Sequence, residues 1–402
     1  MASLLSLISL VGVAQAQFGG GSAMLRFGCS NIVIDRIDPL VDPGKIPSPH
    51  VHQIIGGDAF NATMPMSDIS EIAKCTSCTF EEDFSNYWTA NVYYKSPKNG
   101  TYKRVPIMVN DAIGAANGGM TVYYSSPGKG QTTAFKPGFR MFSGNAARRT
   151  PTNLGRRTQS CFRCYDGPNF QGNIMSPCFD PVRDTEGFPA KPCPGGWRSS
   201  VIFPICWDGK NLDTPNHVDH VADPVDGPAS FTSMGGKCPA SHPVKIPQVH
   251  LEIVWDTSAF NKKEDWPTDG TQPFVLSHGD TTGYGQHGDY VFGWKGDSLQ
   301  QAMDNACFAT NCRQLKSQTF AKANQCVVKN AVKENNDGWL QTLPGALAQL
   351  FLLDADVGCV PVGTICAEIT RQEPVKATHP LHRSEIPFRP QAYAGRLRCY
   401  GR

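Results

Sequence analysis

The sequence predicts a mainly β protein, an antiparallel sandwich or jelly-roll-like body with disulfide-stapled loops and a small helical C-terminal appendage. Three observations carry this expectation. Thirty-nine glycines and thirty-one prolines punctuate the chain and leave little room for long helices. Short runs rich in β-branched and aromatic residues recur between those turn residues. Fifteen cysteines supply staples of the kind found in oxidising compartments.

The chain opens with an apolar run that closes on Ala14-Gln15-Ala16, the small-x-small pattern of a cleavable signal peptide. A spanning helix takes about 20 apolar residues, and this run is shorter. Residues 1–16 are therefore expected to be removed, and no later stretch predicts a membrane span. A main β domain is expected over 17–307. Its strand signals lie at 31–35, 87–94, 105–109, 120–124, 138–142, 200–203, 249–255, 274–277 and 290–294. The turn-rich segment 148–194, with four cysteines, reads as a stapled loop excursion. A helix is expected over 298–306, capped by Asp297 or Ser298. Residues 308–370 predict a disulfide-stapled extension, weakly helical over 313–335 and with an apolar helix over 339–354. From Arg371 to Arg402 there are seven Lys/Arg and two Asp/Glu, which predicts a basic disordered tail able to adhere to an anionic surface.

Composition also excludes. A net charge of +2 argues against nucleic acid as the main partner. No Gly-x-Ser-x-Gly elbow, phosphate loop, dinucleotide fingerprint or His-Glu-x-x-His is present, so serine hydrolase, nucleoside triphosphatase and zincin readings fall away. Cys75-x-x-Cys78 and Cys161-x-x-Cys164 have zinc-site spacing, but behind a signal peptide they read as structural disulfides. An odd cysteine remains, and Cys399 in the basic tail is the expected one. Asn61-Ala-Thr63 and Asn99-Gly-Thr101 are glycosylation sequons. The chain is expected to act as a monomer.

Three polar clusters can carry chemistry. In Ser48-Pro-His50-Val-His52-Gln-Ile-Ile-Gly-Gly57 the two histidines face the same side if the segment is a strand. They read as half of a metal site or as the wall of a sugar pocket. Between Cys206 and His220 lie Trp207, Asp208, Asp213, His217 and Asp219. The third cluster runs from His278-Gly-Asp280 through Tyr284 to His287-Gly-Asp289, with His-Gly-Asp twice and glycines that let a ligand approach the backbone. If the three converge, His50, His52, Asp208, His217, Asp219, His220, His287 and Asp289 are the candidate catalytic residues. Tyr87, Trp88, Trp207, Asp280 and Tyr284 are the candidate substrate-binding residues. The acid–base reading requires no cofactor; a divalent metal at the His/Asp cluster is the one the residues offer.

The run Asp35-Arg-Ile-Asp-Pro39, Asp42-Pro-Gly44 and Ser48–Gly57 resembles the opening of a fungal secreted family of unknown function, often fused to WSC carbohydrate-binding modules. Cys75-Thr-Ser-Cys78, Ser85-Asn-Tyr-Trp88, Phe139-Arg-Met141, Cys206-Trp-Asp-Gly209 and His287-Gly-Asp289 extend the resemblance across residues 27–307. Pro49 and His278 depart from its pattern, and no WSC cysteine pattern follows Cys307. The resemblance implies an extracellular β protein without an agreed reaction. The expected function is a glycan-cleaving hydrolase or lyase acting on cell-wall or plant polysaccharide. The alternatives are a non-catalytic, wall-associated glycan-binding protein and an extracellular metal-binding protein.

Overall fold

Two antiparallel sheets form the body of the protein. The computed structural model describes residues 23–108, 118–128, 131–152, 158–167, 177–228 and 235–345. Strands are numbered here in chain order. The larger sheet has seven strands in the spatial order β10 (Asp184–Thr185), β9 (Ser160–Cys164), β11 (Trp197–Ile202), β15 (Gln248–Trp255), β7 (Met120–Ser125), β1 (Met24–Cys29) and β18 (Phe308–Ala309). The second has five: β2 (Asn31–Asp35), β3 (His52–Gly56), β4 (Asn86–Ala90), β17 (His287–Val291) and β8 (Arg140–Gly144). A four-stranded sheet, β16 (Phe274–Leu276), β5 (Val92–Lys95), β6 (Tyr102–Arg104) and β19 (Trp339–Leu340), continues from it. A small sheet joins β13 (Val221–Ala222), β12 (Cys206–Trp207) and β14 (Val244–Lys245). Pairing is antiparallel except between β1 and β18.

The two large sheets pack through alternate residues, as period-two strands must. Tyr124 of β7 donates to the Tyr290 hydroxyl of β17 at 2.9 Å. The Tyr87 and Tyr124 hydroxyls are 2.6 Å apart, and Tyr87 donates to Asp83 at 2.7 Å. This buried ladder gives each hydroxyl a partner where an orphan would cost about 1–3 kcal/mol. Gly288 of β17 faces Val201 and Leu251 of the other sheet across the same layer. Successive residues of β17 point the other way, so His287, Asp289 and Val291 lie on the outer face of the five-stranded sheet. That face is covered in turn. Ile37, Leu40, Phe60, Ala62, Met64 and Ile69 pack against Ile54, Trp88 and Val291.

Several expectations need correction. The run 87–94 is two strands, β4 and β5, broken at Asn91. The segment 148–194 is not wholly a loop excursion, because its residues Ser160–Cys164 form a fully buried strand of the large sheet. Residues 105–108 contribute only an isolated bridge, Ile107 to Trp255. The helix near 298 is present as α1 (Ser298–Asp304), but the Asp297 carboxylate accepts from Gln301 Nε2 rather than from a backbone amide. Over 313–335 the helix is only α2 (Phe320–Ala323). Trp339 and Leu340 are strand, not helix.

Among the described residues, six disulfides join Cys29–Cys78, Cys75–Cys326, Cys161–Cys178, Cys164–Cys193, Cys206–Cys238 and Cys307–Cys312. Both Cys-x-x-Cys pairs are thus bridged to partners elsewhere. Residues 308–345 are fastened to the body: Cys326 to Cys75, Glu334 to Arg36 at 2.6 Å, and Ala331 N to Asp35 Oδ2 at 2.6 Å. No described helix is long and apolar enough to cross a membrane. The signal segment, Cys359, Cys366, Cys399 and the basic tail lie outside the described residues.

Candidate metal centre

β3 and β17 flank β4 in the five-stranded sheet, and they place His52 and His287 at the same level of it. His52 stands opposite Ala90, and Gly288 opposite the neighbouring Thr89. Between the two imidazoles the sheet offers only the methyl of Ala90. The ring centroids of His52 and His287 are 6.3 Å apart. His50, two residues before His52 and on the same face, brings its ring to 4.2 Å from His52 and 5.5 Å from His287. His278 closes the group, 5.2 Å from His50 and 5.1 Å from His287.

Hydrogen bonds fix how two of these rings are presented. His52 Nδ1 lies 3.1 Å from the Ile37 carbonyl, and His287 Nδ1 lies 2.8 Å from the Gly285 carbonyl. A carbonyl only accepts, so each Nδ1 carries the proton and donates it. Each Nε2 is left with its lone pair. The Nε2 atoms of His50 and His52 are buried without a hydrogen-bond partner. One ligand atom from each of His50, His52 and His287 lies within 4.8 Å of the other two. Three imidazoles so arranged can hold a metal ion. The Nδ1–H groups of His52 and His287, donated to backbone carbonyls, fix the orientation of those two rings as a metal-ligating imidazole requires.

The electrostatics agree. Burial lowers the His52 and His287 pKa values to about 4. Burial, with the neighbouring imidazoles, holds His50 and His278 well below the usual histidine range. All four rings are neutral at pH 7, the ligating form. Two carboxyl groups attend them. Asp38 Oδ2 is 3.9 Å from His52 Nε2, and its other oxygen accepts from Leu40 N and Val41 N. Asp289 is fully buried, with neither oxygen hydrogen-bonded. Burial and then Asp38 push its pKa well above the carboxylate range. The Phe142 ring stacks on His287 at 5.4 Å.

The loop from His278 to His287 is built by Asp280. Its carboxylate accepts from Thr282 N and Oγ1 and, at 2.7 Å, from Gly285 N. Asp280 therefore shapes the loop rather than facing a substrate. Glycine at position 285 leaves room for this packing, since a Cβ would stand 2.7 Å from His278 Nε2, 2.8 Å from Asp280 Oδ2 and 2.9 Å from the Ala146 carbonyl.

The middle cluster stays apart. Asp208 caps Lys210 N and Asn211 N, and Asp213 pairs with His217 Nδ1 at 2.7 Å. His220 spends both nitrogens on Thr214 Oγ1 and the Arg140 carbonyl. Asp219 is exposed, and its carbonyl accepts from His242. This loop meets the histidine sheet along β8, through Phe142 N to His217 O. Of the expected sugar-stacking residues, Tyr87, Trp88 and Trp207 are buried core and offer no face to a ligand. Tyr284 is half-buried and lines a cavity of about 850 Å³ with Thr281, Thr282 and Gln272. Asp38 was legible only as part of the Asp35–Pro39 run. A second group, Cys29, Cys78 and Asp83, has both sulfurs in a disulfide.

A sequence-family model described as "Domain of unknown function (DUF1996)" matches residues 38–294. The chain belongs to this family. The matched DUF1996 segment begins at Asp38 and ends at Trp294, so it spans all four histidines and both carboxyl groups of the centre. Among curated proteins and solved structures no match to the chain was found.

Proposed function

We propose that the protein is an extracellular metalloprotein that holds one divalent first-row transition-metal ion on His50, His52 and His287. One observation carries this reading. Three neutral imidazoles converge from different parts of the chain, and two of them are locked by Nδ1–H donation to backbone carbonyls. Imidazole suits zinc, copper, iron and nickel, whereas calcium and magnesium prefer oxygen. An ion on three protein ligands keeps a position for water or substrate and polarises what binds there. Asp38, 3.9 Å from His52 Nε2, is the carboxylate placed to balance the charge of the ion, and Phe142 stacks on the His287 ring. The decisive experiment is elemental analysis of protein purified from a secreting host without chelators, then stripped and reloaded. One equivalent of metal is expected, lost in His52→Ala and in His287→Ala. Failure to retain any of zinc, copper, iron or nickel on reloading overturns the assignment.

A second reading, cleavage of cell-wall polysaccharide, has its own support. The cavity lined by Thr281, Thr282 and Tyr284 opens on the loop that leads into His287, and the un-ionised Asp289 is two residues beyond. A hydrolase or lyase needs such a proton donor beside a neutral imidazole base. Purified protein should then release products from a panel of plant and fungal wall glycans, and His287→Ala should abolish release. Binding without release would instead favour the wall-associated glycan-binding alternative.

A further inference from the structure

A second site lies away from the histidines, at the turn between β5 and β6. We propose that Asn99 carries an N-linked glycan whose first N-acetylglucosamine units lie against the indole of Trp339.

The sequon Asn99-Gly-Thr101 occupies that turn, with Asn99 exposed. Its side chain is already arranged for attachment. Asn99 Oδ1 accepts from Thr101 N at 3.1 Å and from Thr101 Oγ1 at 2.8 Å. The carbonyl end is held down, and Nδ2, the atom that carries the sugar, is turned away from those bonds.

β19 runs beside β6 at the edge of the four-stranded sheet, with Trp339 opposite Lys103. Trp339 is 58% exposed, where the other large hydrophobics of this sheet are in its cores. Its ring meets Tyr94 edge-on at 6.2 Å, and Tyr94 stacks on Phe260 at 4.2 Å. The three rings floor a cavity of about 570 Å³ whose rim includes Asn99, Thr101 and Gln341. The polar groups beside the floor are Ser96 and the Lys98–Asp265 pair, 3.0 Å apart. A flat indole face with hydroxyl, amide and charged groups around it suits the apolar face and polar rim of a pyranose. The cavity is within reach of a sugar on Asn99 because Asn99 is itself part of its wall. An exposed edge strand carrying a tryptophan is also an aggregation hazard, and a glycan there would cover it.

The inference needs passage through a secretory route but not the metal centre, so the two can fail independently. The protein is produced in a eukaryotic secreting host, and its peptides are mapped for occupancy. Acrylamide quenching of tryptophan fluorescence, read in a Trp266→Phe background that removes the half-buried Trp266, then reports on Trp339 selectively, because Trp88, Trp197, Trp207, Trp255 and Trp294 are buried. Asn99 is expected to be occupied. Asn99→Gln and Thr101→Ala are expected to raise the quenching constant and red-shift the emission. Thr101→Ser, which keeps the sequon, and Asn61→Gln should leave both unchanged. Trp339→Ala should speed endoglycosidase removal of the Asn99 glycan. An unoccupied Asn99, or an occupied one whose removal leaves quenching unchanged, overturns the proposal.

Discussion

At the scale of single residues, the buried titratable groups pull stability in opposite directions with pH. His52 and His287 have pKa values lowered to about 4 from the ordinary 6.5. Between those values the unfolded chain binds protons that the folded metal-free protein refuses, so stability falls as pH drops from about 6.5 towards 4. At about 1.4 kcal/mol per pKa unit the loss is on the order of a few kcal/mol for each ring. Urea midpoints of metal-free protein across this range should show it, and His52→Gln should flatten the slope. Asp83 does the reverse. Burial raises its pKa to about 7 from 3.8, so the folded state holds a proton that the unfolded state has released. Its contribution is present at low pH and is lost as pH rises from about 4 to 7. Asp83→Asn should remove that component; an unchanged pH profile would show that the carboxyl is already ionised in the folded protein.

At the scale of elements, the loop between β16 and β17 sets the geometry of the centre. Asp280 gathers its amides, and Gly285 lets it pass against His278. Gly285→Ala should overpack this contact, a change that costs about 1–3 kcal/mol in a filled interior. It should also weaken metal binding, because the Gly285 carbonyl holds His287 Nδ1. Calorimetric melting and metal titration of the variant test both effects, and a variant with unaltered affinity would show that crowding at position 285 does not shift the carbonyl that anchors His287. The same scale explains the uneven legibility of the strands. The runs at 31–35 and 120–124 emerge where the expectation placed them, because hydrophobic alternation and flanking turns agree. β9 was hidden because Ser160-Cys-Phe-Arg-Cys164 mixes charge and cysteine, and only the sheet around it buries Arg163 against Asp184.

At the scale of the whole molecule, long-range fastenings hold residues 308–345 to the body. The Cys75–Cys326 bridge closes a separation of 251 residues. Replacing both cysteines by serine should cost about 2–5 kcal/mol, the usual loss for a native disulfide. Residues 319–345 should then become open to limited proteolysis; resistance equal to the wild type would mean that the contacts of Asp35 and Arg36 with Ala331 and Glu334 suffice without the bridge. The sandwich layer itself rests on Tyr87, Tyr124 and Tyr290, whose hydroxyls meet across the sheets.

The sequence by itself determined the β class, the disulfide chemistry and the importance of Ser48–Gly57, because composition and local alternation are properties of neighbouring residues. It also marked His287 and Asp289 through a repeated His-Gly-Asp. Only the tertiary structure decided which clusters meet. Strands far apart in the chain become neighbours by backbone pairing, and side-chain spacing within each strand carries no record of that order. Hence β17 beside β4 brings His287 and His278 to His50 and His52. The Trp207–His220 loop, as rich in His and Asp on paper, satisfies its own polar groups beside β8.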